Sequence, residues 1–92
     1  MKQPSVYILA NKKNGTLYVG VTSDLGLRIN QHKQKIFGGF SSKYECMMLV
    51  FYQTFSTIDQ AIIQEKKLKK SSLARKIRLI EIQNPEWNDL AL

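Results

Sequence analysis

Apolar residues along the chain follow two spacings, one typical of strands and one typical of helices. Two β-rich runs at 5–10 and 16–21 flank Asn14-Gly15, a pair that supplies the positive φ needed in a hairpin turn. A third β-rich run covers 44–55 and is apolar on both faces near its middle, which predicts a strand at the centre of a small sheet. We therefore expect a hairpin followed, later in the chain, by one buried strand.

Three further segments carry apolar residues at helical spacing. The first covers about 25–35 and follows Asp24, a residue type that caps helix N-termini. The second covers about 58–70 after the cap residue Thr57, and the third covers about 73–82. The order β-β-α-β-α-α predicts an α+β fold in which helices cover a small sheet, and 92 residues suit a single domain over 1–92.

The charge balance of the chain favours a polyanionic partner. Its 14 Lys and Arg residues outnumber 7 Asp and Glu residues, which gives a formal net charge of +7 at pH 7. Because cationic side chains neutralise phosphates and release their counterions, nucleic acid is the first candidate, ahead of an anionic membrane surface. Half of the basic residues lie between 66 and 78, directly after Glu65.

The cysteine count and the chain start bear on the cellular compartment. The single cysteine, Cys46, excludes an internal disulfide and a zinc cluster built from cysteines. It lies in an apolar run, so we expect a buried thiol rather than a reactive one. The sequence shows neither a signal peptide pattern nor a run of membrane-spanning length, so we expect a cytoplasmic protein that binds no membrane.

Glu65 is the first candidate for a chemical role. It stands at helical spacing from Ala61 and Leu68, inside an apolar stripe of the second predicted helix. Burying a carboxylate costs on the order of several kcal/mol, because the charge loses its hydration. A neighbouring cation or a metal ion can offset this cost. A metal ligand is therefore one interpretation, and a glutamate at the edge of the stripe bonded to a lysine is the other.

Two pairs of polar residues are further candidates. Arg28 and His32 lie one turn apart on the first predicted helix, where a solvated face is the alternative interpretation. Tyr7 and Tyr18 lie on the two strands of the predicted hairpin, roughly opposite one another, where simple packing is the alternative. The five candidates come from four different elements.

Together these residues resemble the signature of the GIY-YIG nuclease family. The matching positions, in chain order, are Ser5-Val6-Tyr7, Tyr18-Val19-Gly20, Arg28, His32 and Glu65. The resemblance covers nearly the whole chain, and in particular it points to small single-domain bacterial proteins that resemble the N-terminal domain of the excision-repair nuclease, or excinuclease. Two positions depart from the family pattern: Ser5 replaces a glycine, and Val21 stands where the excision-repair nuclease has a lysine.

The resemblance implies a small, mainly antiparallel three-stranded sheet flanked by helices, and an endonuclease that hydrolyses phosphodiesters with one Mg²⁺ or Mn²⁺ ion. It implies that Glu65 binds the metal, Tyr18 takes a proton from water and Arg28 stabilises charge on the phosphate. Tyr7 and His32 would position water or assist proton movement. We expect all five side chains on one concave face, with Glu65 free of a direct lysine partner.

The basic residues would hold the nucleic acid, with DNA favoured over RNA and a role in repair or recombination. The expected phosphate contacts come from Lys33, Lys43, Lys66, Lys69 and Lys70. A partner protein or a homodimer remains open. The rival interpretation is a nucleic-acid-binding module that cleaves poorly or not at all, because 92 residues leave no room for the separate DNA-binding domain that such nucleases usually carry.

Overall fold

The computed structural model describes residues 3–34 and 46–91. The elements in these residues are β1 (Ser5–Ala10), β2 (Leu17–Thr22), α1 (Leu25–Lys33), β3 (Met48–Thr54), α2 (Ile58–Lys70) and α3 (Leu73–Gln83). The predicted order β-β-α-β-α-α is confirmed. The main shift concerns the third strand, which begins at Met48, whereas the predicted start at residue 44 lies outside the described residues. No helix within the described ranges has the length and apolar character needed to cross a membrane.

The three strands form one antiparallel sheet in the order β2-β1-β3. The prediction that the third strand is central is therefore wrong, since β1 lies between the other two. β3 is nevertheless apolar on both sides because both faces of the sheet are covered. Its Leu49 belongs to one buried cluster, while Val50 and Phe51 belong to the other.

The outer edge of β3 is also covered, by the end of the last helix and by residues that follow it. The Leu49 N–H donates to the Asp89 carboxylate at 3.1 Å, and the Leu49 carbonyl accepts from the Leu90 N–H at 2.7 Å. Further along, the Gln83 amide donates to the Tyr52 carbonyl at 2.8 Å and accepts from the Tyr52 N–H at 3.1 Å. An edge strand with its backbone groups satisfied in this way is protected from pairing with another chain.

Local signals account for the ends of the elements. Asn14 has a φ of 57°, so it supplies the positive φ of the predicted hairpin turn. The Asp24 carboxylate accepts from the Leu27 N–H at 3.2 Å at the start of α1. At the start of α2, the Thr57 hydroxyl accepts from the Gln60 N–H at 3.2 Å. These caps place α1 and α2 at the ends of the strands that precede them.

The two faces of the sheet have different contents. On one face, Val6, Ile8 and Ala10 of β1 join an apolar cluster with α2, α3 and the buried Trp87. On the other face, a smaller cluster lies beneath α1; its buried members are Tyr7, Leu9, Ile29, Cys46 and Leu49. Cys46 is 1% exposed, which confirms the expected buried thiol, and burial raises its pKa.

Candidate active site

Tyr7 occupies the middle of the sheet on the face covered by α1. In the strand register it lies opposite Gly20 on β2 and opposite Tyr52 on β3. A Cβ atom added to Gly20 would lie 2.4 Å from the Tyr7 ring and 2.4 Å from its hydroxyl oxygen. The third residue of the Tyr18-Val19-Gly20 triad is therefore glycine because the Tyr7 ring packs directly over its backbone.

Tyr18 lies on the same face, two residues along β2 from Gly20 and opposite Leu9. Tyr7 and Tyr18 are thus diagonal neighbours rather than directly opposite, and their ring centroids are 6.4 Å apart. The His32 ring lies 5.9 Å from the Tyr7 ring and 5.3 Å from the Tyr18 ring, again measured between centroids. Three rings from three elements therefore form one cluster.

Helix α1 brings Arg28 and His32 to this cluster. Ile29, between them in sequence, packs into the core beneath the helix and sets the rotation of α1 about its axis. His32 is buried, and its Nε2 atom lies 3.1 Å from the Tyr7 hydroxyl oxygen. The Arg28 side chain also acts on the Tyr7 hydroxyl, since its charge and hydrogen bonding oppose the rise in the pKa of Tyr7. The face of α1 that carries Arg28 and His32 is consequently part of a buried polar network.

The environment sets the protonation of this network. Burial raises the pKa of Tyr7 to about 12, with further increases from the nearby Tyr18 and Glu65 charges and an opposing effect of Arg28. Burial also lowers the pKa of His32, and the Arg28 charge lowers it further. At neutral pH we therefore infer a protonated Tyr7 hydroxyl that donates to the Nε2 atom of a neutral His32.

Glu65 reaches the same region from α2. It is only 9% exposed and lies between the buried residues Ala61 and Leu68 on one stripe of the helix. Its charge contributes to the pKa of Tyr7, so the carboxylate lies within electrostatic range of the Tyr7 hydroxyl. One carboxylate oxygen lies 2.8 Å from the Lys69 ammonium nitrogen. The expectation that Glu65 lacks a direct lysine partner is therefore wrong, because α2 places Lys69 one turn away on the same side.

Comparison with known proteins identifies the family. A protein-family model described as the GIY-YIG catalytic domain matches residues 3–78. The chain belongs to the GIY-YIG family. The GIY-YIG domain is a nuclease domain, so the polar cluster between β1, β2, α1 and α2 is the candidate active site of a nuclease-like fold.

Similar proteins have the same small size. A UPF0213 protein from Syntrophus aciditrophicus (strain SB) is 31% identical over 87 residues, covering 94% of this chain and 98% of its own. A UPF0213 protein from Staphylococcus haemolyticus is 30% identical over 81 residues, covering 88% and 98% respectively. The solution NMR structure of a UPF0213 protein from Bacillus halodurans aligns with a TM-score of 0.58 at 25% identity, covering 95% of this chain and 92% of that one. These names state no activity.

The five lysines predicted to contact phosphate in this GIY-YIG domain fall into three groups. Lys66, Lys69 and Lys70 are exposed on α2, downstream of Glu65. Lys43 lies outside the described residues. Lys33 bonds within the fold: its ammonium nitrogen lies 2.6 Å from the Asp89 carboxylate and 2.9 Å from the Met47 carbonyl oxygen. These contacts argue against the expected phosphate-binding role of Lys33.

The sequence interpretation missed one residue beside the site, Tyr52, and missed the structural reason for another, Gly20. Tyr52 is 38% exposed and neighbours Tyr7 across the sheet, on the site face of the GIY-YIG domain. It lines a groove of about 400 Å³ together with Gly26 and Asn30 of α1. Gly20 was noted only as part of a triad, although its missing side chain makes room for Tyr7. No local pattern could indicate Tyr52, because its position depends on how β3 pairs with β1.

Proposed function

We propose that this GIY-YIG domain is a metal-dependent endonuclease that hydrolyses phosphodiester bonds in nucleic acid. DNA is the favoured substrate, repair or recombination the favoured process, and the cytoplasm the favoured compartment. One observation supports the proposal most strongly: the rings of Tyr7, Tyr18 and His32 form one cluster, and the charges of Arg28 and Glu65 act on the Tyr7 hydroxyl at its centre. An apolar cluster would fill the same space without buried polar groups, so a chemical role explains these residues better than stability does.

The residues present fit a hard divalent cation. Glu65 is a largely buried carboxylate that already has a cation beside it, the Lys69 ammonium. Within residues 3–34 and 46–91, no three His, Cys, Asp or Glu side chains lie together as a possible metal site. A single carboxylate suits Mg²⁺ or Mn²⁺, which retain several water ligands and share phosphate oxygens with the substrate. When bound, such an ion supplies Lewis acidity to the phosphate.

The other candidate side chains each have a separate role in the proposed reaction. Tyr18 takes the proton from the attacking water, as the family resemblance implies. Tyr7 is poorly suited to that role, because its pKa of about 12 keeps the hydroxyl protonated. Tyr7 instead holds the neutral His32 ring through its hydroxyl, and His32 assists proton movement beside Tyr18. Arg28 stabilises the negative charge that accumulates on the phosphate in the transition state.

The exposed lysines of α2 would bind the substrate backbone. Lys66, Lys69 and Lys70 lie on the helix that carries Glu65, so phosphates bound there would lie near the site. Lys43 belongs to the same proposal on sequence grounds. Binding of this kind depends on counterion release, so affinity should fall steeply with added salt and vary little with base sequence.

The decisive experiment measures cleavage, binding and thermal melting on the same protein samples. Single-stranded, duplex and branched substrates are incubated with Mg²⁺, with Mn²⁺ and with a chelator. Glu65→Ala and Arg28→Ala should each reduce metal-dependent cleavage by about 100-fold or more, because each removes a group used in the transition state. Nucleic-acid binding and melting should change little. Glu86→Ala, which removes an exposed carboxylate from the tail, is the matched control and should cleave like the wild type.

The outcomes separate the proposal from its rival. Equal cleavage by the wild type and by Glu65→Ala would contradict a mechanism that relies on this carboxylate. Sound binding by the wild type without cleavage of any substrate would favour a nucleic-acid-binding module instead.

A further inference from the structure

The ion pair between Glu65 and Lys69 occupies the carboxylate to which the proposed function assigns a metal ion. The Lys69 nitrogen lies 2.8 Å from Oε2 of Glu65, and the two residues stand one turn apart on α2. Glutamate one turn before lysine is the favourable order on a helix, so the pair forms without help from the rest of the fold. The carboxylate therefore already has a cation within contact distance.

The two partners differ strongly in their freedom to move. The Glu65 side chain is 11% exposed, whereas the Lys69 side chain is 55% exposed. Glu65 is held between Ala61 and Leu68 on the buried stripe of α2. Lys69 has a long aliphatic stem at the surface, so its ammonium group can leave the carboxylate by changing rotamers without disturbing the helix.

A divalent ion bound at Oε2 would compete with the Lys69 ammonium for the same carboxylate oxygen. Direct coordination by Mg²⁺ needs a metal–oxygen distance of about 2.0–2.1 Å, which leaves no room for a lysine nitrogen on the same lone pair. Two cations at that oxygen would also repel each other in a partly buried environment. Binding of the metal at Oε2 consequently requires that Lys69 moves away first or at the same time.

A second carboxylate–lysine pair in the molecule shows what a fixed pair looks like. Asp89 accepts from the Lys33 ammonium and also from the backbone N–H groups of Leu49 and Ala91. Two of those three donors belong to the backbone and cannot leave by side-chain rotation. The Lys69 ammonium, in contrast, is a side-chain donor at the protein surface.

We propose that Lys69 is an exchangeable counter-ion of Glu65 that the metal displaces, and that this exchange sets the metal affinity of the site. The proposal rests on the proposed function, in which Glu65 holds the metal. Without metal, Lys69 neutralises the buried carboxylate and stabilises the folded site. With metal, the ammonium moves off the carboxylate. Each binding event therefore includes the loss of the ion pair, which weakens the observed affinity.

The test measures Mn²⁺ binding to the protein alone, by titration calorimetry and by the spectrum of free Mn²⁺ in electron paramagnetic resonance. Lys69→Met keeps the stem and removes the charge, and it should bind Mn²⁺ about three- to tenfold more tightly than the wild type. Lys67→Met removes an equal charge from an exposed position on the same helix and controls for the general loss of positive charge. Its affinity should rise less than about twofold, because an exposed charge farther from the carboxylate is screened by salt.

Two more variants complete the comparison. Lys69→Arg keeps a cation one turn from Glu65 and should bind Mn²⁺ with nearly the wild-type affinity. Glu65→Gln should abolish the binding in every background. Thermal melting confirms that each protein is folded before its affinity is compared.

The Mn²⁺ titrations distinguish an error in the role of Lys69 from an error in the metal site. Equal affinities for Lys69→Met and Lys67→Met, or weaker binding by Lys69→Met, would overturn the exchange while the metal site stands. Absence of Glu65-dependent Mn²⁺ binding in the wild type and in Lys69→Met alike would overturn the metal site itself, and the exchange with it.

Discussion

On one face of β1, Val6, Ile8 and Ala10 pack into an apolar cluster, whereas on the other face Tyr7 packs beside Tyr18 of β2 and bonds to His32 of α1. Adjacent residues of the same strand are equally buried, since Tyr7 and Ile8 are both 0% exposed. The side chains of Val6, Ile8 and Ala10 have no polar atoms to satisfy, so they stabilise the fold by removing apolar area from water. The site face must instead supply a hydrogen-bond partner to each buried polar atom.

Burial alone therefore does not distinguish a residue that stabilises the fold from one that belongs to the candidate site. Among the described residues, every buried side-chain nitrogen or oxygen atom has a hydrogen-bond partner. The Tyr7 network is therefore a satisfied network, and it costs the fold less than isolated polar groups would. Substitutions on the two faces should affect stability and cleavage in opposite proportions.

The largest effect on stability is expected from the apolar face. Ile8→Ala should lower the free energy of unfolding by about 2–5 kcal/mol, because it removes buried methyl groups and leaves a cavity. Tyr7→Phe, one residue earlier, should lower the free energy of unfolding by about 1–2 kcal/mol, because it removes the hydroxyl that bonds His32. Per folded molecule, however, Tyr7→Phe should reduce cleavage far more than Ile8→Ala does. Urea unfolding and cleavage assays of both variants test this; a larger stability loss in Tyr7→Phe would contradict the distinction between the faces.

Two glycines allow a second comparison, between a position packed against the Tyr7 ring and a position with room for a methyl group. Gly20→Ala should lower the free energy of unfolding by about 1–3 kcal/mol and reduce cleavage, because the new Cβ atom would overlap the Tyr7 ring. Gly26→Ala, in the first turn of α1, adds a methyl group whose nearest neighbour is the Asp24 carboxylate at 3.9 Å. It should stabilise the protein by up to about 1 kcal/mol through helix propensity.

Both glycine variants are measured by thermal melting and by cleavage of the same substrate. If Gly20→Ala melts and cleaves like the wild type, the Tyr7 ring does not depend on the bare backbone of Gly20.

The smallest effect concerns the protonation of His32. Folding lowers the pKa of His32 below its ordinary value of 6.5, so the folded state favours the neutral ring. The associated stability is fully present above that ordinary value and is lost as pH falls through the lower pKa of the folded state. We expect the free energy of unfolding to decline as pH falls below 6.5 in the wild type and to change less in His32→Gln.

Denaturant unfolding at several pH values measures this effect. The pKa of Asp89 supplies a separate check at lower pH: burial acts to raise it, but the hydrogen bonds from Lys33 and from two backbone N–H groups outweigh burial and lower it below its ordinary 3.8. Its contribution is lost only in strong acid, outside the window of His32. If the free energy of unfolding falls equally with pH in the wild type and in His32→Gln, at pH values below 6.5 and above 3.8, His32 is not the source of the decline.

Features that depend on neighbouring residues could be predicted from the sequence. The turn residue Asn14, the caps Asp24 and Thr57, and the position of Glu65 on the apolar stripe of α2 are all present as expected. Each involves groups only a few residues apart, so local geometry determines it. The pairing of Glu65 with Lys69 is also local, and the sequence had left it open as an alternative to a metal ligand.

Only the tertiary structure decided which distant groups meet. Pairing on both sides of β1 made it the central strand and placed Tyr52 beside Tyr7, while the chain end brought Asp89 to Lys33. These contacts join residues far apart in the chain, and their free energies depend on strand order, register and the packing of α1. Apolar periodicity reports which face of a segment is buried, but it carries no information about which other segment buries it.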